Sequence, residues 1–441
     1  MNRIRRFSIW HAALLLPWMV AGFAFGRRFN DNSYLWHVRA GDLQIERGSV
    51  LTADPFSFTK LGEPWRTQSW LADVLYSLLD DVAGLEGSPF ITASCAALTF
   101  LLLGLIAFRR SKSLVSVVMY LVASAVALAA FLNPRPVIFS FPLFAAVVLA
   151  DDDRRTRWMV PFLLWVWASV HGSFFIGLAY LGSVAMIRGI DRRALARLLC
   201  AACVTLLTAH GLGIVEILLD FGGNRQAVAV MSEWATPNLL SPPFIPVFLG
   251  ILALVFLAQQ GELGRREWLL VAPFLALALT ANRSVPPAWI ALSPVLSRVK
   301  LPINPNRRGS PVAVVLALGL LVFPFLLRPA EFIDSRRFPV AAAAHLTGHR
   351  VFHDDAVGGW LIYHQWPERQ VYIDDRAELY GEQMLTFVDT RLVMKPWERE
   401  FEKWAIDQAL LRPTDPLTQL LEASAWKETY RDENFVILRK P

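Results

Sequence analysis

The sequence predicts an all-α membrane bundle of about eleven transmembrane helices, followed by a small external α/β domain. Three observations carry that fold class. Of 441 residues, 55% are hydrophobic and only 18% charged, where a soluble protein carries roughly a quarter. Mean hydropathy is +0.41. Apolar runs of roughly 14–20 residues recur along the first three quarters of the chain. Beyond Leu327 they give way to short mixed segments of the kind a soluble domain uses.

The elements follow in order. Phe7–Phe25 comes after Arg3, Arg5 and Arg6 and has the look of a signal peptide. No small-residue cleavage site ends it and more apolar runs follow, so it reads as a retained signal anchor. The remaining spans are Phe90–Phe108, Leu114–Leu132, Val137–Ala150, Trp158–Val170, Ser173–Ile187, Ala194–Ala209, Phe244–Ala258, Trp268–Ala281, Val285–Leu296 and Pro311–Leu327. The pairs flanking His171 and Arg283 are short enough that each, instead of two spans, could be one broken helix or a re-entrant hairpin. No internal repeat is evident. This gives a membrane domain over residues 1–327, with an external loop at 26–89, and an external domain over 328–441.

Positive charge orients the bundle. The loops Arg109–Lys112, Asp151–Arg157, Ile187–Arg197, Gly264–Arg266 and Ser297–Arg308 alternate along the chain and carry most of the short-loop Lys and Arg. The positive-inside rule puts them, and the N-terminus, in the cytoplasm. Arg27 and Arg28 run against the rule. An odd number of spans leaves the tail on the opposite, external side. The net charge of +6 is thus spread over topology signals and calls for no nucleic-acid partner. Asp31, His37, Asp54, Arg135, His171, His210, Glu233 and Arg283 all fall on the external side, which marks that side as the active surface.

Within the first loop, Gln68–Leu85 places Leu71, Val74, Leu75, Leu78 and Leu79 at helical spacing. It predicts an amphipathic helix in the interface, with Trp70 and Tyr76 at headgroup depth. In the tail, "RVFHDD" and "RQVYIDD" read as strands ending in acids, and "GGWLIYH" as a turn and strand. "ELYGEQMLTFVDTRLV" and "KPWEREFEKWAIDQALL" read as helices, and "ENFVILRK" as a closing strand. Cys95, Cys200 and Cys203 lie in apolar runs; the CxxC lacks a second pair or a histidine, so these are read as small buried hydrophobes. No Walker loop, GxSxG elbow or HExxH is present.

The run "DNSYLWHVRAGDLQIERGSVLTADPFSFTKLGEPWRTQSWL" resembles the first external loop of bacterial membrane proteins related to GT-C glycosyltransferases. "NPRPVIFSF", "WVWASVHGSFFIGL", "SEW", "GGWLIY" and "YIDDRAELY" resemble the same group, so the likeness spans most of the chain. The tail is faintly similar to the external domain of the oligosaccharyltransferase catalytic subunit, although "DDAVGGW" does not reproduce its acceptor motif. The resemblance implies an essential acid after the first span, which is Asp31. Many relatives carry a second acid two residues on, where this chain has Ser33, and a double tryptophan where it has Leu35–Trp36.

The chemistry can be reasoned independently. Nucleotide sugars are absent outside the inner membrane, so a transferase there uses a polyprenyl-phosphate-linked sugar. Attack by an acceptor hydroxyl needs a base, and departure of the lipid phosphate needs cationic donors. Asp31 is the expected base. Arg135, His171 and Arg283 are the expected phosphate binders, each at a span mouth where an idle charge is costly. His37 suits either the site or a backbone hydrogen bond, and Asp54 either the site or a turn before Pro55. Glu233 suits either a second carboxylate or a local pair with Arg225. Asp374, Asp375 and Arg376 are acceptor-side candidates, with mutual pairing as the competing reading. A divalent cation (Mg or Mn) is a possible cofactor, with Asp31 and Glu233 as its ligands. The acceptor is a glycan, a lipid or a protein. The competing function is non-enzymatic: a flippase-like transporter or a scaffold for envelope-glycan assembly.

Overall fold

The structure, a computed structural model, describes residues 8–216, 232–300, 311–326, 329 and 331–441. Arg225, Leu327 and the loop 301–308 lie outside the described residues, as does the middle of the His210–Pro243 segment. The chain divides into two compact units. One comprises Met1–Arg27, Glu86–Ile214 and Met231–Ala330; the other comprises Arg28–Leu85, Val215–Val230 and Glu331–Pro441. The segment after the first apolar run is therefore compact with the tail.

The first unit is helical, and each of the apolar runs carries helix. Examples are Leu16–Phe25, Gly87–Ser111, Val137–Asp152 and Pro311–Leu326. Among the described residues, one continuous helical stretch, Trp70–Ser111, is long and apolar enough by itself to cross a membrane. The runs around His171 and Arg283 are pairs of separate helices. Val160–Val170 and Phe174–Arg188 are parted at His171, and Trp268–Thr280 and Val285–Leu296 at a single turn, Asn282–Ser284. Cys200 and Cys203 are exposed rather than buried, and all three cysteines are free thiols. The apolar run hid the side of the helix Arg192–Thr205 on which they fall.

The second unit corrects several sequence expectations. "DNSYLWHVRAGD" is the start of a helix, Asn32–Arg47, rather than loop. Asp31 caps it by accepting from the Tyr34 amide, and Gly48 ends it with a φ of 62°, a left-handed conformation that glycine adopts without strain. The predicted amphipathic helix is present as Trp70–Ala83, but its Asp73 and Tyr76 point inward. Its leucines Leu75 and Leu78 are exposed. Tyr76 packs against Tyr34 with ring centroids 4.8 Å apart and is not a headgroup anchor.

The tail holds a four-stranded sheet of order β1-β2-β4-β3: β1 is Val351–His353, β2 Gln408–Leu411, β3 Lys427–Arg431 and β4 Val436–Arg439. β1 and β2 are parallel; the remaining pairs are antiparallel. "GGWLIYH" is not a turn and strand but part of the helix Asp355–Gln365, capped by Asp354. "RQVYIDD" forms no sheet strand and makes one isolated bridge, Ser57 to Val371. "KPWEREFEKWAIDQALL" is helical only over Trp397–Lys403 and then becomes β2. Alternation alone cannot separate a short buried helix from a strand, and here packing decides. A Cβ at Gly358 would stand 2.2 Å from the Ile373 carbonyl oxygen, and one at Gly359 2.2 Å from that of Asn32. The paired glycines let this helix lie directly against two backbones.

His353 is wholly buried between those elements. It donates from Nδ1 to the Asp354 carbonyl at 3.0 Å and its Nε2 accepts from the Tyr372 amide at 3.0 Å. Those bonds fix the neutral tautomer, and burial lowers its pKa from 6.5 to about 4.

Two predictions follow from this packing. Gly359→Ala forces a backbone clash and should destabilise the second unit by about 1–3 kcal/mol, whereas Gly182→Ala, with nothing within 4 Å of its added carbon, should not; thermal unfolding of the purified protein compares them. For His353, the folded state disfavours the proton that the unfolded chain takes up below pH 6.5. Its contribution is full above that pH and is lost as pH falls towards about 4, amounting to about 3 kcal/mol. Melting curves across pH 4–7 should show that loss, and His353→Gln should flatten it.

Candidate functional site

In the second unit the candidate residues gather around the N-terminus of the helix Asn32–Arg47. Asp31 is buried, with 6% of its surface exposed. Its Oδ1 accepts from the Tyr34 amide at 3.2 Å, which fixes the carboxylate against the first helical turn. The next residues reach the tail. Asn32 Nδ2 donates to the Asp355 carbonyl at 3.0 Å. Ser33 Oγ makes a short hydrogen bond to Asp375 Oδ2, and Trp36 Nε1 donates to Asp375 Oδ1 at 2.8 Å. Where the apparent relatives carry a second acid, this chain has a serine hydroxyl that binds a carboxylate from the tail.

Behind Asp375 lies a buried ionic core. Arg376 binds Asp374 through Nε at 2.7 Å and Nη2 at 2.6 Å, and its Nη1 lies 2.8 Å from Asp54. All three side chains are without solvent exposure. Burial works against the guanidinium's charge, but Asp374 and Asp54 outweigh it and hold its pKa well above the ordinary value. The guanidinium also lies 4.4 Å over the Trp65 ring. Asp54 accepts from Phe56 N, Ser57 N and Ser57 Oγ at 2.6–3.1 Å. Asp54, Asp374 and Arg376 are thus paired with one another, and of the three acceptor-side candidates Asp375 alone is partly exposed.

His37 is likewise engaged. Its Nδ1 lies 2.5 Å from Asp73 Oδ1, and Asp73 also accepts from Gln44 at 3.0 Å and Thr67 at 2.7 Å. The imidazole stacks on Trp36, centroids 3.6 Å apart. His37 therefore orients Trp36, which in turn holds Asp375. Asp42 bridges Arg39 at 3.0 Å and Ser77 at 2.6 Å.

The structure adds Asp354 and Asp355, which the sequence reading passed over as site residues. Burial, and then the hydrogen bond to and charge of Asp354, push the Asp355 carboxyl well above the usual range. Burial opposes ionisation of Asp354 too, but the bond from Asp355 and the Arg391 guanidinium 2.7 Å away keep its pKa low. "RVFHDD" and "YIDDR" share a pattern of buried hydrophobes ending in two acids, and that pattern was the available signal.

In the first unit, Arg135 and Glu233 form an ion pair at 2.7 Å, so Glu233 has a partner distant in sequence. Arg283 lies 4.5 Å over the ring of Trp234, and Asn282 N donates to the Ala235 carbonyl. Arg135, Glu233 and Arg283 are therefore gathered by the same short "SEW" turn. His171 Nδ1 bonds Ser173 Oγ at 2.8 Å, which donates to Ser140 at 3.0 Å. Ser140 lies in the first turn of the helix that begins just after Arg135. His210 makes no part of either described cluster. Among the described residues no group of three or more His, Cys, Asp or Glu side chains is arranged to hold a metal ion. Asp31 and Glu233 belong to different units.

No protein-family model and no curated protein matches the sequence. Solved structures do. The chain is similar to the oligosaccharyltransferase of Archaeoglobus fulgidus in its apo form, at TM-score 0.56 and 12% identity, covering 91% of this chain and 69% of that one. It is similar to ArnT from Cupriavidus metallidurans in the apo state, at TM-score 0.55 and 13% identity, covering 97% and 96%. Both are GT-C glycosyltransferases. This chain has the GT-C fold. At such identities the likeness extends to the fold alone, and the residues above carry the rest.

A prediction tests the ionic core. Arg376→Met leaves Asp54 and Asp374 buried without their cation and should cost about 3–5 kcal/mol. Adding Asp54→Asn and Asp374→Asn should recover part of the loss in thermal unfolding.

Proposed function

We propose that this protein is a multi-pass inner-membrane glycosyltransferase that moves a sugar from a polyprenyl-phosphate donor to an external glycan, lipid or protein acceptor. In this reading the helices of the first unit are the membrane spans and the second unit faces the periplasm. The observation that carries it is the placement of Asp31, buried and capping a helix in a GT-C fold, beside a carboxylate delivered from the tail. Asp31 accepts the proton of the acceptor hydroxyl as that oxygen attacks the anomeric carbon. The sugar–phosphate bond breaks on the opposite face, which inverts configuration. Within the first unit, Arg283, Arg135 and His171 are the groups whose chemistry suits an anionic phosphate. Arg135 pairs with Glu233, and Arg283 lies over the ring of Trp234 in the same turn. Asp375, steadied by Ser33 and Trp36, is the acceptor-side residue.

The alternative, a scaffold for envelope-glycan assembly, is favoured by one feature: Asp54, Asp374, Arg376 and His37 are all occupied in holding the unit together. The two readings part on Asp31. Asparagine at a helix N-cap still accepts from the Tyr34 amide, so Asp31→Asn should fold and insert normally. It should lower transfer by about 100-fold or more, measured on the purified protein with a polyprenyl-phosphate sugar. Transfer at the wild-type rate would remove Asp31 as the base. A deletion strain whose altered envelope glycans are restored by Asp31→Asn would establish the scaffold. Arg283→Gln should raise the donor KM by about tenfold with a smaller change in kcat.

A further inference from the structure

A cavity of about 490 Å³ lies in the first unit, away from the residues assigned above, between the ends of the helices Val137–Asp152 and Phe174–Arg188 and the start of Arg192–Thr205. Its polar wall holds five arginines: Arg154, Arg157, Arg188, Arg193 and Arg197. Its other wall is apolar, with Val160, Leu181, Val184 and Ala185 buried at the base.

The carboxylates around it do not cancel this charge. Asp151 pairs with Arg188 at 2.6 Å. Asp191 lines the cavity too, but its side chain caps a helix at the Ala194 amide, 2.6 Å away. Asp152 pairs with Arg110 at 2.5 Å and only grazes Arg188 at 4.0 Å, and Asp153 Oδ1 accepts from the Arg155 amide. Arg157 spends its Nε on the Asp151 carbonyl at 2.8 Å. Among the described residues, Arg154, Arg193 and Arg197 make no ion pair, and Arg197 lies 5.9 Å over the Trp158 ring. Five arginines against two lining carboxylates leave a surplus of three positive charges in one cavity. Like charges this concentrated repel, and an anion is the missing partner.

The shape narrows the anion. Guanidinium forks match phosphate oxygens, and the volume suits a headgroup with its first carbons. The apolar base and the exposed Trp158, Leu195 and Leu199 beside it suit a hydrocarbon chain better than a soluble ion. The positive-inside pattern assigns these loops to the cytoplasm, where basic recesses between helices attract anionic lipid. We propose that this cavity binds the phosphate of a lipid, carried on an acyl or prenyl chain, at the cytoplasmic face. The site is separate from the transfer chemistry and draws only on the membrane residence in the reading above.

Native mass spectrometry of the full-length protein, released from detergent with defined lipids, tests this. The probes are phosphatidylglycerol, undecaprenyl phosphate, phosphatidylcholine and inorganic phosphate. The wild type should retain phosphatidylglycerol or undecaprenyl phosphate over phosphatidylcholine, and whichever displaces the other identifies the source. Arg154→Gln/Arg193→Gln/Arg197→Gln should weaken retention by about tenfold or more, while the corresponding triple lysine substitution should keep most of it. Should the glutamine variant aggregate, the single exposed change Arg193→Glu provides the same test, with a several-fold loss expected. Equal retention of phosphatidylcholine, undiminished retention by the variants, or displacement by inorganic phosphate as readily as by lipid would each overturn the proposal. Asp31→Asn should leave retention unchanged, so failure of the catalytic reading and failure of this one are distinguishable.

Discussion

The second unit is organised around one buried cation. Arg376 is fully enclosed, holding Asp374 from its own segment and Asp54 from a segment more than three hundred residues earlier, under the rings of Trp65, Trp36 and Phe56. A buried ion pair adds little net stability, because desolvation offsets attraction, but it penalises every arrangement in which one partner is missing. Register is what Arg376 provides. With Asp54 and Asp374 fixed, Phe56 and Phe58 pair their backbones with Val371, and Thr59 donates to the Tyr372 carbonyl. Asp375 then has only one direction left, towards Ser33 and Trp36.

Most of the charged candidates are engaged within the unit. Arg376 is paired with Asp54 and Asp374, and His37 with Asp73. Asp31 and Asp375 stand at the edge of this network, Asp31 held by the Tyr34 amide and Asp375 by Ser33 and Trp36. Rings and hydrogen bonds fix both carboxylates in place, the pre-organisation that the proposed proton transfer would use. In the first unit a weaker version holds, where Arg135 and Arg283 are placed by Glu233 and Trp234 of one short turn.

Two arginine populations serve opposite ends. Arg376 has its charge cancelled within the fold, whereas Arg154, Arg193 and Arg197 leave theirs open in a cavity with an apolar base. The residue type is the same; its carboxylate neighbours decide whether it acts as a strut or as a recognition element.

Much of the bundle was legible in the sequence because apolar run length is a local property. Every run became helix, and the breaks at His171 and Arg283 fell where polar residues interrupt the runs. The acid at Asp31 just after the first run was legible too, although the helix it caps was not. The partners of these residues were not. Glu233 meets Arg135 across nearly a hundred residues, and Asp375 meets Ser33 across more than three hundred. Helix rather than strand at Asp355–Gln365 rests on two glycines whose missing side chains admit the backbones of Asn32 and Ile373. Periodicity reports what a segment turns towards the core, so the sequence by itself determined the apolar helices and the residues rich in chemistry. Only the tertiary structure decided which charges are spent on each other, because ion pairing depends on distance through space and carries no signature along the chain.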